Sequence, residues 1–157
     1  MDSPVGQLRL VATDGALTAI CFEPFAADSP GGAADSARTD DVLRAAADQL
    51  RAYFAGDLSQ FDLPLAPKGT AFQQEVWRAA RLIGYGDRIA YGELAARLRR
   101  PVGAARAVGA ALGRNPLPIV IGCHRVVAAD GRLGGYAGGL ERKQALLLLE
   151  SSKKPRP

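Results

Sequence analysis

The sequence contains one histidine and two cysteines among 157 residues. With a single histidine, the chain cannot assemble a standard three- or four-ligand zinc site from cysteine and histidine. The two cysteines, Cys21 and Cys123, are 102 positions apart and form no Cys-x-x-Cys pair. We therefore expect neither a bound metal nor a disulfide scaffold.

The sequence also lacks the features of a membrane or exported protein. No apolar run approaches the roughly 18 residues that a membrane-spanning helix needs. The first residues, MDSPVGQLRL, contain no basic stretch followed by an apolar block, which is the pattern of a secretory signal. These absences predict a protein of the reducing cytoplasm that has no membrane partner.

The charged residues are distributed unevenly along a chain of ordinary composition. Hydrophobic residues make up 48% and charged residues 23% of the sequence, which is typical of a globular protein. Residues 1–68 carry 5 Lys and Arg against 10 Asp and Glu, whereas residues 69–157 carry 15 against 6. The net charges of −5 and +9 predict that the second part binds a polyanion. A solvated, arginine-rich surface is the alternative explanation.

The first part of the chain has the pattern of a small α/β layer. QLRLVA alternates in polarity, Asp14-Gly15 is a tight-turn signal, and ALTAICF follows as a second strand, which together predict a hairpin. Apolar residues at helical spacing in DDVLRAAADQLRAYFAG predict a helix that begins near Asp40 or Asp41 and stops at Gly56.

Two further stretches of the first part indicate packing and boundaries. Cys21 lies among apolar strand residues, where a cysteine is most simply a small buried hydrophobic residue. The stretch AADSPGGAADSART is rich in small residues and predicts a mobile loop. Two prolines and a glycine in FDLPLAPKG mark a boundary, so we predict domains 1–68 and 69–157.

The second part begins with helices. TAFQQEVWRAARLI predicts a helix that is capped by Thr70 and buries Trp77 in a core. YGELAARL and GAARAVGAALG are two shorter helical patterns separated by Pro101, the outline of a helix-turn-helix. In the second of these, Arg106 is the one long polar side chain. The other small residues favour close approach to a DNA groove or, alternatively, to a neighbouring helix.

The chemistry-bearing stretch is PIVIGCHRVV. It predicts a short buried strand that ends at Gly122, followed by Cys123 and His124. Neighbouring side chains of a strand point to opposite faces, so a turn or a bridging water must connect the thiol to the imidazole. His124 and Arg125 could raise the thiolate fraction. Glu150, near the end of a leucine-rich helix, is the candidate to orient His124; a solvated helix end is the alternative.

NPLPIVIGCHRVVAADGRLGGYAGGLERKQALLLLE, together with FQQEVW, YGELA and AARAVGAALGRNP, closely resembles the O6-alkylguanine-DNA alkyltransferases, also called methylated-DNA-protein-cysteine methyltransferases. The resemblance covers residues 3–150. It implies an α/β fold class: a small ribonuclease-H-like α/β domain and then a mainly helical, winged-helix-like domain that binds DNA and holds the active site. A helix-turn-helix from Tyr91 to about Arg114 would bind the minor groove, and the damaged guanine would be flipped out of the stack.

The resemblance also implies roles for individual residues. Cys123 matches the alkyl acceptor, and His124, acting through a water, and Glu150 match its proton relay. Tyr91 matches the residue that protonates or hydrogen-bonds guanine N3. Asn115 matches a hinge residue whose side chain braces the active-site turn.

A second set of residues is implied to bind DNA or the flipped base. Arg106 matches the arginine that fills the vacated place in the duplex, and Tyr136 lies in a loop that closes over the base. The carbonyls of Cys123 and Val126 match acceptors for the exocyclic amine, and the Ala137 N–H matches a donor to O6. Ala105 and Arg125 complete the predicted DNA-binding set.

The implied activity is repair by irreversible transfer of one alkyl group per molecule, from O6-methylguanine and also O4-methylthymine, without a cofactor. The protein would act as a monomer on double-stranded DNA, and cooperative packing along DNA is left open. A protein that only binds alkylated DNA and recruits repair factors is the alternative. A cysteine hydrolase would turn over repeatedly, and a plain helix-turn-helix regulator would leave the Cys-His-Glu set unused.

The chain departs from the family pattern at two glycines. Gly122 precedes the active cysteine and Gly84 lies in IGYG, where the family usually has proline. Glycine releases backbone freedom at both positions. We therefore expect a looser active-site turn and slower transfer.

Overall fold

The computed structural model describes residues 1–27 and 37–153. They form two compact units, Met1–Lys68 and one that begins at Gly69. Most of the predicted loop AADSPGGAADSART lies outside the described residues. Within the described ranges, no helix is both long enough and apolar enough to cross a membrane.

The first unit is a hairpin with a helix packed on it. Strands β1 (Leu8–Thr13) and β2 (Ala16–Phe22) are antiparallel. Asp14 and Gly15 between them have φ of 51° and 76°, as a two-residue hairpin turn requires. Helix α1 (Ala37–Ala55) begins earlier than the sequence predicted and ends before Gly56, whose φ is 86°. The predicted hairpin and helix are confirmed.

The core of this unit lies between β2 and α1. Leu17, Leu50 and Tyr53 have no exposed surface. The chain after α1 returns beside β2, where the Leu17 N–H donates to the Pro64 carbonyl at 2.8 Å. Cys21 is only half-buried, so the expectation that it is a buried core residue was wrong.

The second unit begins with α2 (Ala71–Arg81), which has a complete capping box. The Gln73 N–H donates to Thr70 Oγ1 at 3.1 Å, and the Thr70 N–H donates to Gln73 Oε1 at 2.9 Å. Trp77 is 1% exposed, and its Nε1–H donates to the Ala111 carbonyl at 2.8 Å. The predictions of a Thr70 cap and a core tryptophan are therefore confirmed.

Two short strands and three further helices complete this unit. Strand β3 (Ile89–Ala90) leads directly into α3 (Tyr91–Arg97) and pairs in parallel with β4 (Val126–Val127). A 3₁₀ turn, Val102–Ala104, connects α3 to α4 (Ala105–Gly113). The pairing of β3 with β4 brings the start of α3 beside the segment that follows the cysteine. Helix α5 (Leu140–Ser152) ends the described chain. Strands in the first unit and helices in the second confirm the predicted fold class.

The approach to Cys123 differs from the prediction. A buried strand was expected to end at Gly122, but residues 116–121 form bends, a turn and one isolated β-bridge between Pro118 and Ile121, and Ile119 has a φ of 75°. The Ile121 N–H donates to the Leu117 carbonyl at 2.9 Å, a local bond that a strand does not make. A 3₁₀ turn, Cys123–Arg125, follows. The apolar run reflects burial, which turns and strands share, so composition alone could not distinguish them.

We predict that Thr70→Ala lowers the free energy of unfolding by about 1 kcal/mol, because the first turn of α2 loses a side-chain acceptor. Urea denaturation of the full chain measures this change. Thr70→Ser keeps the oxygen and should be close to the parent protein. Equal losses in the serine and alanine variants would contradict the capping role.

Candidate active site

The Glu150 carboxylate is the centre of the site. It is 1% exposed and lies in the last turns of α5. His124 Nε2 lies 2.7 Å from its Oε1, Arg125 donates to it from Nε and Nη2, and the Gly86 N–H donates to Oε2 at 3.1 Å. Although burial raises the pKa of Glu150, these bonds from His124 and Arg125 outweigh it, and the pKa lies well below its usual range. Glu150 is therefore an ionised, buried carboxylate and not part of a solvated helix end.

This carboxylate fixes the protonation of His124. An ionised carboxylate can only accept hydrogen bonds, so Nε2 carries the imidazole proton and Nδ1 keeps its lone pair. Burial lowers the pKa of His124, and the side chain has no exposed surface. Nδ1 is buried and has no hydrogen-bond partner among the described residues. His124 is thus a neutral imidazole whose free nitrogen can accept a proton.

The Cys123 thiol lies next to His124 in the 3₁₀ turn and is 5% exposed. Asn115 Nδ2 donates to its sulfur at 3.1 Å, and Asn115 Oδ1 accepts from the Leu117 N–H at 2.9 Å. Burial raises the pKa of Cys123, while the Asn115 bond and the Lys143 charge lower it. The resting group is therefore a thiol, and a base must remove its proton before the sulfur can act as a nucleophile.

Arg125 has a different role from the one the sequence predicted. It was expected to bind DNA or substrate and to favour the thiolate, but it is only 6% exposed. Its Nη1 donates to the Ile83 carbonyl at 2.6 Å, and its other nitrogens bind Glu150. The guanidinium is the planar, two-pronged donor that matches a carboxylate. Arg125 holds Glu150 in place and presents no free group to DNA.

A cavity of about 590 Å³ opens beside Tyr91 and α4. It is lined by Tyr91, Ala105, Arg106, Gly109, Gly113, Gly134, Gly135, Tyr136 and Ala137. Five of the predicted site residues are in this set, and none of the lining residues carries a negative charge. The volume lies in the range of ordinary small-molecule sites.

The small residues of α4 make room for this cavity. Ala105, Gly109 and Gly113 are four positions apart and so share one face of the helix. Val108, Ala111 and Leu112 pack into the core on another face. Arg106 is exposed and lies at the cavity, which leaves its guanidinium available to a partner.

Tyr91 and the loop before α5 form the opposite side of the cavity. Burial raises the pKa of Tyr91, so its phenol is protonated at neutral pH. Gly134 has a φ of 67°, and a Cβ at this position would lie 2.5 Å from Tyr91 Oη. Glycine is needed here both for the backbone conformation and for the close approach of the phenol.

Sequence reasoning missed Lys143. It has no exposed surface, and its Nζ donates to the Val126 carbonyl at 2.7 Å. The positions of Leu146, Leu147 and Glu150 are three, four and seven residues later, so the helical period placed Lys143 on the buried face of α5. That spacing was the available signal. The Val126 carbonyl was predicted to accept a hydrogen bond from the exocyclic amine of guanine. It keeps a second lone pair for that bond when Lys143 occupies the first.

Within residues 1–27 and 37–153, no group of three or more His, Cys, Asp or Glu side chains is placed to hold a metal ion.

Two protein-family models match this chain, one in each of its two parts. Residues 1–67 match the ribonuclease-like domain model of 6-O-methylguanine DNA methyltransferase, and residues 71–152 match the DNA-binding domain model of the same family. The chain belongs to the 6-O-methylguanine DNA methyltransferase family. The resemblance stated from the sequence motifs is therefore confirmed.

Relatives within the family match over nearly their whole lengths. The methylated-DNA-protein-cysteine methyltransferase of Mycolicibacterium paratuberculosis is 46% identical, over 99% of this chain and 92% of the relative. That of Methanosarcina acetivorans is 43% identical, over 96% of both. A crystal structure of Mycobacterium tuberculosis OGT in complex with DNA has a TM-score of 0.84 and 44% identity, covering 99% of this chain and 92% of that one.

The structure brings the predicted family residues into two groups. In the first group, Asn115 hydrogen-bonds to Cys123, and Glu150 hydrogen-bonds to His124, the next residue along the chain. The second group lines the cavity, namely Tyr91, Ala105, Arg106, Tyr136 and Ala137. Their assigned roles remain predictions of the family resemblance.

We predict that Glu150→Gln costs about 3–5 kcal/mol of unfolding free energy at pH 7, because it leaves the buried Arg125 charge uncompensated. The pKa of Glu150 is lower in the folded state, so its stabilisation is present above the unfolded pKa of about 4.3 and is lost as pH falls. The difference between parent and variant should shrink below pH 4 or so.

Urea denaturation across this pH range tests the Glu150 prediction. Glu93→Gln is the matched control, since Glu93 forms an exposed ion pair with Arg97 and should change stability by under about 1 kcal/mol. A constant difference between parent and Glu150→Gln at all pH values would contradict the ionised state of Glu150.

Gly122→Pro tests the expectation of a loose active-site turn. Gly122 has φ −71° and ψ 45°, and proline adopts this φ without strain. A Cβ here would lie 3.0 Å from Arg125 Nη1, so Gly122→Ala is the matched control with the same close contact. We predict that the proline variant is about 0.4–1 kcal/mol more stable than the alanine variant in urea denaturation and transfers faster. A proline variant no faster than the alanine variant would contradict this expectation.

Proposed function

We propose that this protein removes the alkyl group from O6-methylguanine in double-stranded DNA by transferring it irreversibly to its own Cys123. The observation that supports this most directly is the environment of the buried Cys123 sulfur. Asn115 donates a hydrogen bond to this sulfur. In the same turn as Cys123, His124 is a neutral imidazole that is bound to ionised Glu150. This arrangement suits a nucleophile that stays protonated until its substrate arrives.

In the proposed reaction, a water molecule carries the thiol proton from Cys123 to Nδ1 of His124. Glu150 then stabilises the imidazolium, in the same way that a buried carboxylate supports histidine in other nucleophilic sites. The sulfur attacks the alkyl carbon as the bond from that carbon to O6 breaks. Tyr91 supplies a proton to guanine N3, and the Ala137 N–H stabilises the charge on O6.

The base reaches the sulfur by leaving the duplex. Inside a helix, O6 is not accessible to a thiol, so the nucleotide must be flipped into a pocket. We propose that the helix-turn-helix of α3 and α4 binds the minor groove, that Arg106 takes the vacated place, and that the cavity beside Tyr91 accepts the base. Contacts from Tyr136 and from the carbonyls of Cys123 and Val126 would hold the base there. The net charge of +9 over residues 69–157 and the DNA complex of the M. tuberculosis relative support this binding mode.

Several further features belong to the same proposal. Residues 1–68 and 69–157 are the two domains, and the protein works as a cytoplasmic monomer without a cofactor. O4-methylthymine is a second substrate, because it offers the same alkyl carbon on an exocyclic oxygen. The product is a thioether with no activated leaving group, so each molecule acts once.

A protein that recognises alkylated DNA and recruits other factors is the second candidate. It would need the basic helix-turn-helix but not an acceptor, and the presence of Cys123 next to the hydrogen-bonded pair of His124 and Glu150 argues against it. A cysteine hydrolase would need the same three residues, yet it would turn over repeatedly and would not need a basic surface.

Intact mass spectrometry after incubation with an oligonucleotide containing one O6-methylguanine tests the proposal. We predict a gain of one methylene mass per protein, located on Cys123 and saturating at one equivalent. Cys123→Ser should gain none, whereas Cys21→Ser should behave like the parent. An unmodified protein that still binds the oligonucleotide would favour the recruitment role, and repair of many lesions per molecule would contradict single use.

A further inference from the structure

The turn between α3 and α4 contains an arginine with a strained backbone. Helix α3 ends in a Schellman motif: the Arg99 N–H donates to the Ala96 carbonyl at 2.9 Å. The next N–H, that of Arg100, donates to the Ala95 carbonyl at 2.9 Å. Arg99 has a φ of 56°, the left-handed conformation that this position of the motif requires. Glycine is the usual residue there, because a Cβ makes this conformation costly. The chain therefore has an arginine where backbone stability alone favours glycine.

No contact inside the described part of the chain offsets this strain. The Arg99 side chain is exposed, and among the described residues none makes a hydrogen bond, an ion pair or a ring contact with its guanidinium. Its two arginine neighbours differ in this respect. Arg97 Nη2 lies 3.0 Å from Glu93 Oε1, and Arg100 Nη2 lies 3.1 Å from Glu75 Oε2. The free guanidinium of Arg99 points to a partner outside the protein.

The charges around Arg99 favour an anionic partner. No aspartate or glutamate occurs between Glu93 and Asp130, whereas six arginines do. The carboxylates of Glu93 and Glu75 already bind the arginines on either side of Arg99. An anion that approaches this turn is therefore not repelled by an unpaired carboxylate of α3 or α4. The guanidinium is a planar fork of donors that matches the oxygens of a phosphate.

The turn leads directly into the end of α4 that would reach the DNA. Ala105 and Arg106, in the first turn of α4, line the cavity. The Ala104 N–H donates to the Pro101 carbonyl at 2.8 Å, which keeps the connection from Arg99 to α4 short. In helix-turn-helix proteins the first residues of the second helix contact base edges. The turn before that helix therefore lies beside the phosphates that border the groove.

We propose that Arg99 binds a backbone phosphate of duplex DNA at the edge of the groove that α4 enters, and that the strained backbone is retained because it holds the guanidinium there. This role rests on the proposed binding of α3 and α4 to DNA. The DNA-binding residues implied by the family resemblance do not include Arg99. Phosphates carry no sequence information, so Arg99 strengthens binding to intact and damaged duplex alike.

Three variants separate the charge of Arg99 from its backbone conformation. Arg99→Gly removes both the charge and the strain, Arg99→Gln removes the charge alone, and Arg99→Lys keeps a positive charge and the strain. Arg81→Gln is the matched control, because Arg81 is an exposed arginine in the last turn of α2 that has no partner among the described residues. Far-UV circular dichroism establishes that each variant folds.

Fluorescence anisotropy measures the affinity for an unmodified duplex over a range of salt concentrations. Each phosphate contact contributes about 0.9 to the slope of log affinity against log salt. We expect Arg99→Gly and Arg99→Gln to lose about this much slope and to bind about 5- to 10-fold more weakly at about 0.1 M salt. Arg99→Lys should keep most of the slope, because it keeps the charge. Arg81→Gln should stay within about 0.3 of the parent's slope.

A duplex that contains one O6-methylguanine distinguishes phosphate binding from lesion recognition. In a Cys123→Ser background, which cannot accept the methyl group, Arg99→Gln should weaken binding to the lesion duplex and to the unmodified duplex by the same factor. A loss confined to the lesion duplex would overturn the assignment of Arg99 to a phosphate.

Urea denaturation measures the strain separately from DNA binding. Arg99→Gly should raise the denaturation midpoint above those of the parent and of Arg99→Gln, because glycine adopts this φ readily. A more stable variant that binds DNA more weakly is the expected result if the turn exchanges stability for a contact. A glycine variant no more stable than the glutamine variant would overturn the claim that strain is retained for binding.

The salt slopes decide the binding claim. Unchanged slopes in Arg99→Gly and Arg99→Gln would overturn the proposal. An equal loss in Arg81→Gln would also overturn it, because the net charge of the second unit would then account for the effect without a contact at Arg99.

Failure of this proposal is distinguishable from failure of the proposed function. A parent protein that binds the unmodified duplex but transfers no methyl group refutes the proposed function, and the salt slopes still decide the role of Arg99. A parent that transfers the methyl group while the Arg99 variants keep its slope refutes only the role of Arg99. A parent that binds no duplex DNA refutes both.

Discussion

The ionised carboxylate of Glu150, buried among four hydrogen-bonding partners, is the constraint on which the site depends. Nε2 of His124, Nε and Nη2 of Arg125 and the Gly86 N–H converge on it. A buried carboxylate is costly unless all its lone pairs are satisfied. Because Glu150 lies at the end of α5 and its partners come from the loop after α2 and from the turn at Cys123, satisfying Glu150 also fixes these three segments relative to one another. The positions of the His124 ring and the adjacent sulfur follow from this network.

This arrangement explains why the adjacent residues Cys123 and His124 differ in protonation, the thiol keeping its proton and the imidazole having a free nitrogen. His124 is kept neutral by burial and oriented by Glu150, so its Nδ1 is a base before any substrate is present. Cys123 is kept protonated by burial while the Asn115 amide and the Lys143 ammonium act in the opposite direction. The fixed donors need no reorganisation when charge develops on the sulfur, which is the usual means by which a site lowers a barrier.

Local signals made the scaffold predictable from the sequence. The Asp14-Gly15 turn and the Thr70 cap depend on residues a few positions apart, and both occur in the structure. The strand predicted before Gly122 does not occur, since Ile119 adopts a positive φ that composition cannot reveal. Family motifs predicted Cys123 as the acceptor and His124 and Glu150 as its relay, but a motif does not state where a guanidinium points.

The two residues whose roles were misjudged or missed show the same limit more sharply. Arg125 bonds to Glu150 and Ile83, which are 25 and 42 positions away. Lys143 bonds to Tyr91 across 52 positions. Both are charged residues that a sequence assigns to solvent or to DNA, because lysine and arginine are rarely buried. The helical period indicated the buried face of α5 for Lys143, but only the fold brings the partners of both residues together, so their contacts could not be derived from periodicity alone.

The raised pKa of the thiol has a consequence for a protein that can use its sulfur once. A thiolate that persisted at rest would react with any small electrophile, and each such event would consume a whole molecule. Reactivity of cysteine follows thiolate fraction and access, and Cys123 is deficient in both, being 5% exposed and protonated. Cys21, on a strand of the first unit, is more accessible. Burial therefore restrains the nucleophile at rest, whereas the Asn115 amide and the Lys143 charge act in the opposite direction.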